Sequence, residues 1–180
     1  MTDLLGAHPI VLVTGIPAAG KSTVADLLAR RFDRGVHVKG DVFRRMVVSG
    51  RADMTPNPNP DAIAQLNLRY DLAAMAADRC AEDGFDAIVQ DVILGKDLAD
   101  FVKRIASPER YLVVLSPALS ASEWREEQRL KGGFVHLSAD ALDDVLRRET
   151  AHIGYWLDCS TQTPDETVAD ILANLDKAAV

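Results

Sequence analysis

The residues best suited to chemistry lie near the start of the chain, in the segment Gly15-Ile16-Pro17-Ala18-Ala19-Gly20-Lys21-Ser22. The segment fits the pattern G-x-x-x-x-G-K-[ST], in which backbone N–H groups cradle phosphates, the lysine reaches the outer phosphates and the last hydroxyl is directed to Mg²⁺. An apolar run precedes it and helical spacing of apolar residues follows, as the pattern requires. The alternative is a chance glycine-rich turn, which we disfavour because every fixed position is filled. We assign phosphate binding to Gly15, Pro17, Ala18, Ala19, Gly20, Lys21, Ser22 and Thr23.

Asp41 follows a short predicted strand, residues 35–39, and the intervening Gly40. It therefore lies at the edge where open α/β sheets bind ligands. A carboxylate there can orient a substrate hydroxyl and accept its proton, which makes Asp41 the candidate general base. Two alternatives stay open: capping of the next helix, and substrate binding without proton transfer. Arg44 and Arg45 are spaced to approach it.

A second acidic residue, Asp91, lies near the end of the predicted strand 85–94. In phosphate-loop enzymes such a residue supports Mg²⁺ directly or through water, and we assign that role to Asp91 together with Ser22. The alternative is a carboxylate that accepts hydrogen bonds from N–H groups of the following loop. Asp86, at the other end of the strand, faces away from this edge.

Two arginines, Arg125 and Arg129, lie one helical turn apart on a predicted helix, residues 120–131. Such a face suits a triphosphate or an adenine ring, through forked hydrogen bonds and stacking. The alternative is an ordinary solvated face. Gly132-Gly133 is either the hinge of a closing lid, about residues 118–137, or a plain helix end.

The segment between the second and third predicted strands should form the wall of a substrate pocket. Candidate contacts there, each with the alternative of being a surface side chain or a helix partner, are Arg44, Arg45, Arg51, Arg69 and Tyr70. The four histidines have no metal-ligand spacing, and His37 and His152 are interpreted as structural.

The composition is that of an acidic globular protein. The 180 residues carry a formal net charge of −7, which opposes broad binding to nucleic acid or acidic membranes. Cys80 and Cys159 have neither metal-ligand spacing nor a disulfide-rich context, so we expect reduced thiols and a cytoplasmic location. The sequence has no apolar run long enough to cross a bilayer and no signal-peptide pattern at its start.

Strands and helices alternate along the chain. Apolar runs predict five strands, at residues 10–13, 35–39, 85–94, 111–115 and 153–157. Helical spacing fills the intervals, and the last helix has the start signal Thr163-Pro164 with Glu166 three residues after the cap. This order predicts a single α/β domain, with a mostly parallel five-stranded sheet covered by helices on both faces.

With these residues placed, the chain resembles the small P-loop kinases, most closely the group that contains chloramphenicol phosphotransferase, zeta toxins and gluconate kinases. The likeness rests on VLVTGIPAAGKST, the Gly40-Asp41 strand end, the segment 88–95 and the Arg125/Arg129 helix. It implies transfer of the ATP γ-phosphate to a hydroxyl, with Asp41 as base. It further implies Arg125 against adenine, Arg129 on the phosphates, Thr161 and Gln162 near the adenine edge, and the acceptor between the Asp41 helix and the Pro-rich loop 51–60.

We therefore expect an ATP- and Mg²⁺-dependent kinase acting on a small-molecule alcohol, such as an antibiotic, a sugar acid or a nucleotide-like metabolite. The catalytic residues would be Asp41, Lys21 and Arg129. One alternative is a kinase for a polynucleotide 5′-hydroxyl or a toxin-type kinase for a nucleotide sugar. Another is a nucleotide-dependent ATPase or switch module. The expected partners exclude nucleic acid and membranes, and the expected state is a monomer or weak homodimer.

Overall fold

The sheet has five strands in the order β2-β3-β1-β4-β5, and all of their pairings are parallel. The computed structural model describes residues 8–118 and 138–180. The strands are β1 (Ile10–Gly15), β2 (Gly35–Lys39), β3 (Asp86–Gln90), β4 (Arg110–Leu115) and β5 (Tyr155–Leu157). The predicted α/β fold is confirmed, and the sheet is wholly parallel where the sequence predicts a mostly parallel one.

The central strands are apolar because they are buried on both faces of the sheet. All six residues of β1 are buried, as are the last five of β4. Helices supply the cover on the two faces: α1 (Lys21–Ala29), α2 (Gly40–Arg45), α3 (Pro60–Glu82), α4 (Lys96–Arg104), α5 (Ala139–Asp144) and α6 (Pro164–Ala173). A π-helical turn, Val145–Glu149, follows α5, and a 3₁₀ turn, Leu175–Ala178, follows α6.

Helix starts follow the sequence closely. At α6 the Thr163 hydroxyl accepts from the Glu166 N–H while Glu166 accepts from the Thr163 N–H, which is the predicted capping box. At α3 the Asn59 side chain accepts from the Ala62 N–H, with Pro60 at the first helical position.

Two strands are shorter than predicted, each for a local reason. β3 ends at Gln90, because the Val92 N–H donates to Asp91 Oδ1 and the Ile93 N–H to Thr14 Oγ1 instead of continuing the ladder. β5 begins at Tyr155 because Gly154 has a positive φ of 68°.

Two of the predicted segments fall in the gap between residues 118 and 138. The predicted helix 120–131 and, apart from Ala118, the lid 118–137 lie outside the described residues. Among residues 8–118 and 138–180, no helix has both the length and the apolar character needed to traverse a bilayer.

Candidate functional site

The loop between β1 and α1 has a backbone that a phosphate chain can approach. Three of its residues have positive φ angles: Gly15 at 143°, Ala18 at 65° and Gly20 at 84°. Ala18 is the one non-glycine residue with a positive φ in the described part of the chain, and such strain typically marks a functional turn. A Cβ atom on Gly15 would overlap the Leu115 carbonyl. The loop therefore curls tightly, with the Ala19 N–H donating to the Ile16 carbonyl at 3.3 Å.

The start of α1 favours an anion. Gly20 provides no side-chain cap, and the first turn carries no acidic residue, so the helix N-terminus keeps its positive character. Lys21 is 5% exposed and its Nζ donates to the Ile16 carbonyl at 2.6 Å, which holds the ammonium over the loop. Of the predicted phosphate-binding residues, Pro17, Ala18, Ala19, Gly20 and Thr23 line one cleft.

An open cleft of about 260 Å³ extends from this loop to the segment after β5. Its walls are Ile16, Pro17, Ala18, Ala19, Gly20, Thr23, Val24, Pro117, Ala118, Cys159, Ser160, Gln162, Pro164 and Thr167. Of the two residues expected at the adenine edge, Gln162 lines the cleft, whereas the neighbouring Thr161 is exposed and lies outside its lining. Both apolar and polar groups line the cleft, as in a site for a small molecule.

The two predicted metal ligands differ in their surroundings. Ser22 is exposed and its Oγ lies 3.3 Å from Oε1 of Gln90, the last residue of β3. A hydroxyl and an amide carbonyl are oxygen donors of the kind that Mg²⁺ accepts, so this pair fits the ion. Within the described residues no group of three or more His, Cys, Asp or Glu side chains forms a metal cluster.

Asp91, the other predicted metal ligand, is buried and paired with an arginine. Its carboxylate is 1% exposed and bound at both oxygens by the Arg69 guanidinium, with an Nε–Oδ2 distance of 2.6 Å. Oδ1 also accepts from the Val92 N–H at 2.7 Å, which is the loop-binding alternative. Asp91 is therefore held as one half of a buried ion pair.

Two of the candidate substrate contacts are in the interior. Arg69 is 7% exposed and its guanidinium is held by Asp91 in a buried ion pair, although the residue also lines the small cavity between α2 and α3. Tyr70 is 3% exposed, donates its hydroxyl to the Val92 carbonyl at 3.2 Å and packs edge-on against Phe101. The Tyr70 ring is thus part of the core and does not lie on a surface open to a substrate.

Asp41 lies in the first turn of α2 and is clamped by the two arginines that the spacing indicated. Arg44 Nε donates to Oδ1 at 2.8 Å and Arg45 Nη2 lies 2.5 Å from Oδ2. Burial acts to raise the pKa of Asp41, but the hydrogen bonds and charges of Arg44 and Arg45 outweigh it and hold that pKa below its ordinary value of 3.8. Lys39 occupies the N-cap position, so the capping alternative for Asp41 is not observed.

The ion pairs continue from Asp41 toward the Pro-rich loop. Arg44 Nη1 also donates to Asp53 Oδ1 at 2.9 Å, and Arg51 Nε lies 3.8 Å from Asp53 Oδ2. Asp53 was not among the predicted site residues; its only signal is its position within the loop 51–60. The three arginines Arg44, Arg45 and Arg51 therefore share two carboxylates.

A narrow cavity lies beside this network, between α2 and α3. Its lining is Phe43, Arg44, Val47, Ala52, Asp53, Met54, Ala62, Gln65, Leu66, Leu68, Arg69 and Leu72. The cavity measures about 30 Å³, roughly the room of two ordered water molecules. Leu68, which is 49% exposed, lies at its rim. This is the position where the sequence predicts the acceptor wall.

Arg125 and Arg129, expected on adenine and phosphates, lie outside the described residues. The structure adds a residue that the sequence did not single out, Thr14. Its buried hydroxyl donates to the Ile93 carbonyl at 2.9 Å and accepts from the Ile93 N–H at 3.0 Å, which ties β1 to the loop that carries Asp91. A threonine within an apolar strand is the one sequence signal for this role.

Family membership follows from a match over most of the chain. Residues 10–152, from β1 to just before β5, match the family described as AAA domain. The chain belongs to the AAA domain family. A curated relative of this AAA domain, a UPF0200 protein of Aeropyrum pernix, is 40% identical over 67 residues, and the match covers 37% of this chain and 35% of that protein. The chain thus matches about a third of that relative's length.

Solved kinases share the fold. An APS kinase of Mycobacterium tuberculosis, determined with AMPPNP and APS, has a TM-score of 0.70 at 17% identity and covers 94% of this chain and 98% of its own. A sugar kinase of Janibacter sp. HTCC2649 has a TM-score of 0.65 at 21% identity, and the match covers 95% of this chain and 96% of the sugar kinase. A gluconokinase of Sinorhizobium meliloti 1021 has a TM-score of 0.58 at 17% identity, and the match covers 96% of this chain and 94% of the gluconokinase. The resemblance to the small P-loop kinase group is confirmed, and the fold of this AAA domain is theirs.

Proposed function

We propose that this chain is an ATP-dependent kinase that transfers the γ-phosphate to a hydroxyl of a small molecule. The observation that carries the proposal is the common edge of the phosphate loop and Asp41. They follow β1 and β2, which are separated by β3 alone. Two strand spacings amount to roughly 10 Å, which accommodates a phosphoryl group and an acceptor oxygen in line between them.

Each group has a part in the transfer. The loop amides and the N-terminus of α1 hold the β- and γ-phosphates, and the Lys21 ammonium balances their charge. The bond from the γ-phosphorus to the bridging oxygen breaks as a bond to the acceptor oxygen forms. The acceptor's proton passes to the Asp41 carboxylate, which the neighbouring arginines keep ionised and oriented. Arg129 is assigned to the phosphates by resemblance.

Magnesium would be held by Ser22 and the phosphates, with the Gln90 amide oxygen beside them. When bound, the ion neutralises charge on the β- and γ-phosphates. The buried pair with Arg69 gives Asp91 a different task, the support of the loop that follows β3.

The lining of the α2–α3 cavity supports a neutral acceptor with an apolar body. Eight of its twelve lining residues are apolar, and the arginines in and beside it are paired with Asp41, Asp53 or Asp91. A polyanionic acceptor would have to displace those carboxylates, whereas an uncharged alcohol leaves them in place. Because the cavity is small, most of such a molecule lies over the rim, against side chains such as Leu68.

Transfer from γ-³²P-labelled ATP tests the proposal with two sets of acceptors. One set holds neutral aromatic and branched aliphatic alcohols, and the other holds gluconate, APS and a 5′-hydroxyl oligonucleotide. We expect labelled product with members of the neutral set. ATP turnover that no hydroxyl compound changes would favour the ATPase or switch alternative. Label on the oligonucleotide would favour the polynucleotide kinase, which the net charge of −7 opposes.

We further propose that the enzyme works as a monomer or weak dimer in the cytoplasm. Cys80 and Cys159 are free thiols in the structure, which suits a reducing compartment.

A further inference from the structure

Asp53 lies in the Pro-rich loop 51–60, at a point where the chain is fastened to α3. The Gln65 side chain makes both attachments: its Oε1 accepts from the Ala52 N–H at 2.9 Å, and its Nε2 donates to the Gly50 carbonyl at 2.8 Å. The backbone next to Asp53 is therefore held against a helix of 23 residues. A carboxylate on such an anchored segment can hold a neighbouring side chain in one place.

The side chain that Asp53 holds is Arg44 of α2. Arg44 Nη1 donates to Asp53 Oδ1 at 2.9 Å, while Nε of the same guanidinium donates to Asp41 Oδ1 at 2.8 Å. Because the guanidinium is planar, acceptors on two of its nitrogens fix both its position and the rotation of its plane. Burial acts to lower the pKa of Arg44, but the hydrogen bonds and charges of Asp41 and Asp53 outweigh it and raise that pKa above its ordinary value. Arg44 is thus a charged bridge between two carboxylates.

The two arginines on Asp41 are not held equally. The Arg44 side chain is 16% exposed and also bound to Asp53, whereas the Arg45 side chain is 71% exposed. An exposed arginine keeps much of its rotamer freedom, so Arg45 supplies charge more than orientation. The direction of the Asp41 carboxylate therefore depends mainly on Arg44, and through Arg44 on Asp53.

The segment that carries Asp53 also lines the proposed acceptor site. Ala52, Asp53 and Met54 belong to the wall of the α2–α3 cavity, as does Arg44. The Arg44–Asp53 ion pair thus joins the base to the wall against which an acceptor packs. Proton transfer needs the base within hydrogen-bond reach of the acceptor hydroxyl, and a fixed relation between wall and base maintains that reach.

We propose that Asp53 is a positioning residue for the phosphoryl transfer, which holds Arg44 so that the Asp41 carboxylate stays directed at the acceptor hydroxyl. The inference rests on the proposed kinase function and adds to it a residue of the Pro-rich loop. Removal of Asp53 leaves the phosphate loop and the apolar wall in place but loosens the base. The loss should therefore appear in kcat, with little change in the KM for the acceptor or the Kd for Mg·ATP.

The test compares Asp53→Ala with the wild type, using the full chain, Mg·ATP and the most active alcohol of the acceptor panel. We expect kcat to fall about tenfold, while the KM for the alcohol and the Kd for Mg·ATP stay within about twofold of the wild type. Asp53→Asn keeps an oxygen that accepts from Arg44 Nη1 and should recover most of the lost rate. Asp71→Ala is the matched control and should keep kcat, because Asp71 also pairs with an arginine of low exposure, Arg104, but at the junction of α3 and α4.

A second measurement needs no acceptor. The ¹⁵N heteronuclear NOE of the Arg44 Nε–H group reports how firmly the guanidinium is held, and it should fall in Asp53→Ala but not in Asp71→Ala. An unchanged kcat or an unchanged NOE in Asp53→Ala, or a rise in the alcohol KM alone, would overturn the inference and leave the kinase proposal standing. Failure of the wild type to phosphorylate any alcohol of the panel would overturn both.

Discussion

Gly40 and Asp91 touch so closely that a Cβ atom on Gly40 would overlap the Asp91 carboxylate. Gly40 is the residue before the proposed base, and Asp91 is the buried partner of Arg69. The contact joins the start of α2 to the loop after β3. The position of Asp41 therefore depends on an ion pair that it does not itself touch.

The Arg69–Asp91 pair should be essential to the fold. Arg69→Met leaves the Asp91 carboxylate buried without its cation, which costs about 3–5 kcal/mol of unfolding free energy. Replacing both partners, as Arg69→Met with Asp91→Leu, should cost less than the sum of the single changes. Urea unfolding of the three variants measures this coupling. Additive losses, or a single-variant loss below about 1 kcal/mol, would contradict a tightly coupled pair.

Lys21 should be required for nucleotide affinity. Lys21→Met removes a charge-assisted hydrogen bond to phosphate, worth about 1.5–3 kcal/mol, so the Kd for Mg·ATP should rise roughly tenfold or more. Lys103→Met is the control, since that lysine is 74% exposed on α4 and pairs with Asp100. Isothermal titration calorimetry gives both constants. Equal affinity in the two variants would remove Lys21 from the phosphate site.

The clamp on Asp41 predicts its titration. Because Arg44 and Arg45 lower its pKa below the ordinary 3.8, the carboxylate stays ionised at lower pH in the folded state than in the unfolded chain. Its contribution to stability is complete above the unfolded value and is lost as pH falls through the folded one. A pH titration of the Asp41 side-chain carboxyl ¹³C signal by NMR should give a midpoint below pH 3.8 in the wild type.

Arg45→Gln should then raise the Asp41 midpoint, because it removes one of the two cations. Arg148→Gln is the matched control, because Arg148 is also an exposed arginine paired with an aspartate one turn away, Asp144. It should leave the titration midpoint of Asp41 unchanged. If Arg45→Gln leaves the Asp41 midpoint unchanged, the pairing of Arg45 with Asp41 does not persist in solution.

The sequence was most informative where one local rule determines the structure. The phosphate loop, the capping box of Thr163 and Glu166, and the approach of Arg44 and Arg45 to Asp41 all follow from spacing within a few residues. The apolar runs were enough to give the strands and hence the α/β fold.

Spacing was less informative for contacts between distant segments. Arg69 and Asp91 are 22 residues apart, and each has a plausible separate role, so nothing in the sequence showed that they neutralise one another. The hydrogen bond from the Tyr155 hydroxyl to Asp170 is a further case, because it joins β5 to α6. The burial of Tyr70 could not be predicted either, because the helical pattern of α3 did not reveal which face is buried.

Single-turnover phosphoryl transfer by Asp41→Asn tests the central claim most directly, with the most active alcohol from the acceptor panel. Asp83→Asn is the control, because Asp83 is also paired with an arginine one turn away but lies at the C-terminal end of α3. The account predicts that Asp41→Asn binds Mg·ATP as the wild type does and loses transfer by about 10²-fold or more, while Asp83→Asn keeps it. Transfer by Asp41→Asn within a few-fold of the wild type would contradict the account.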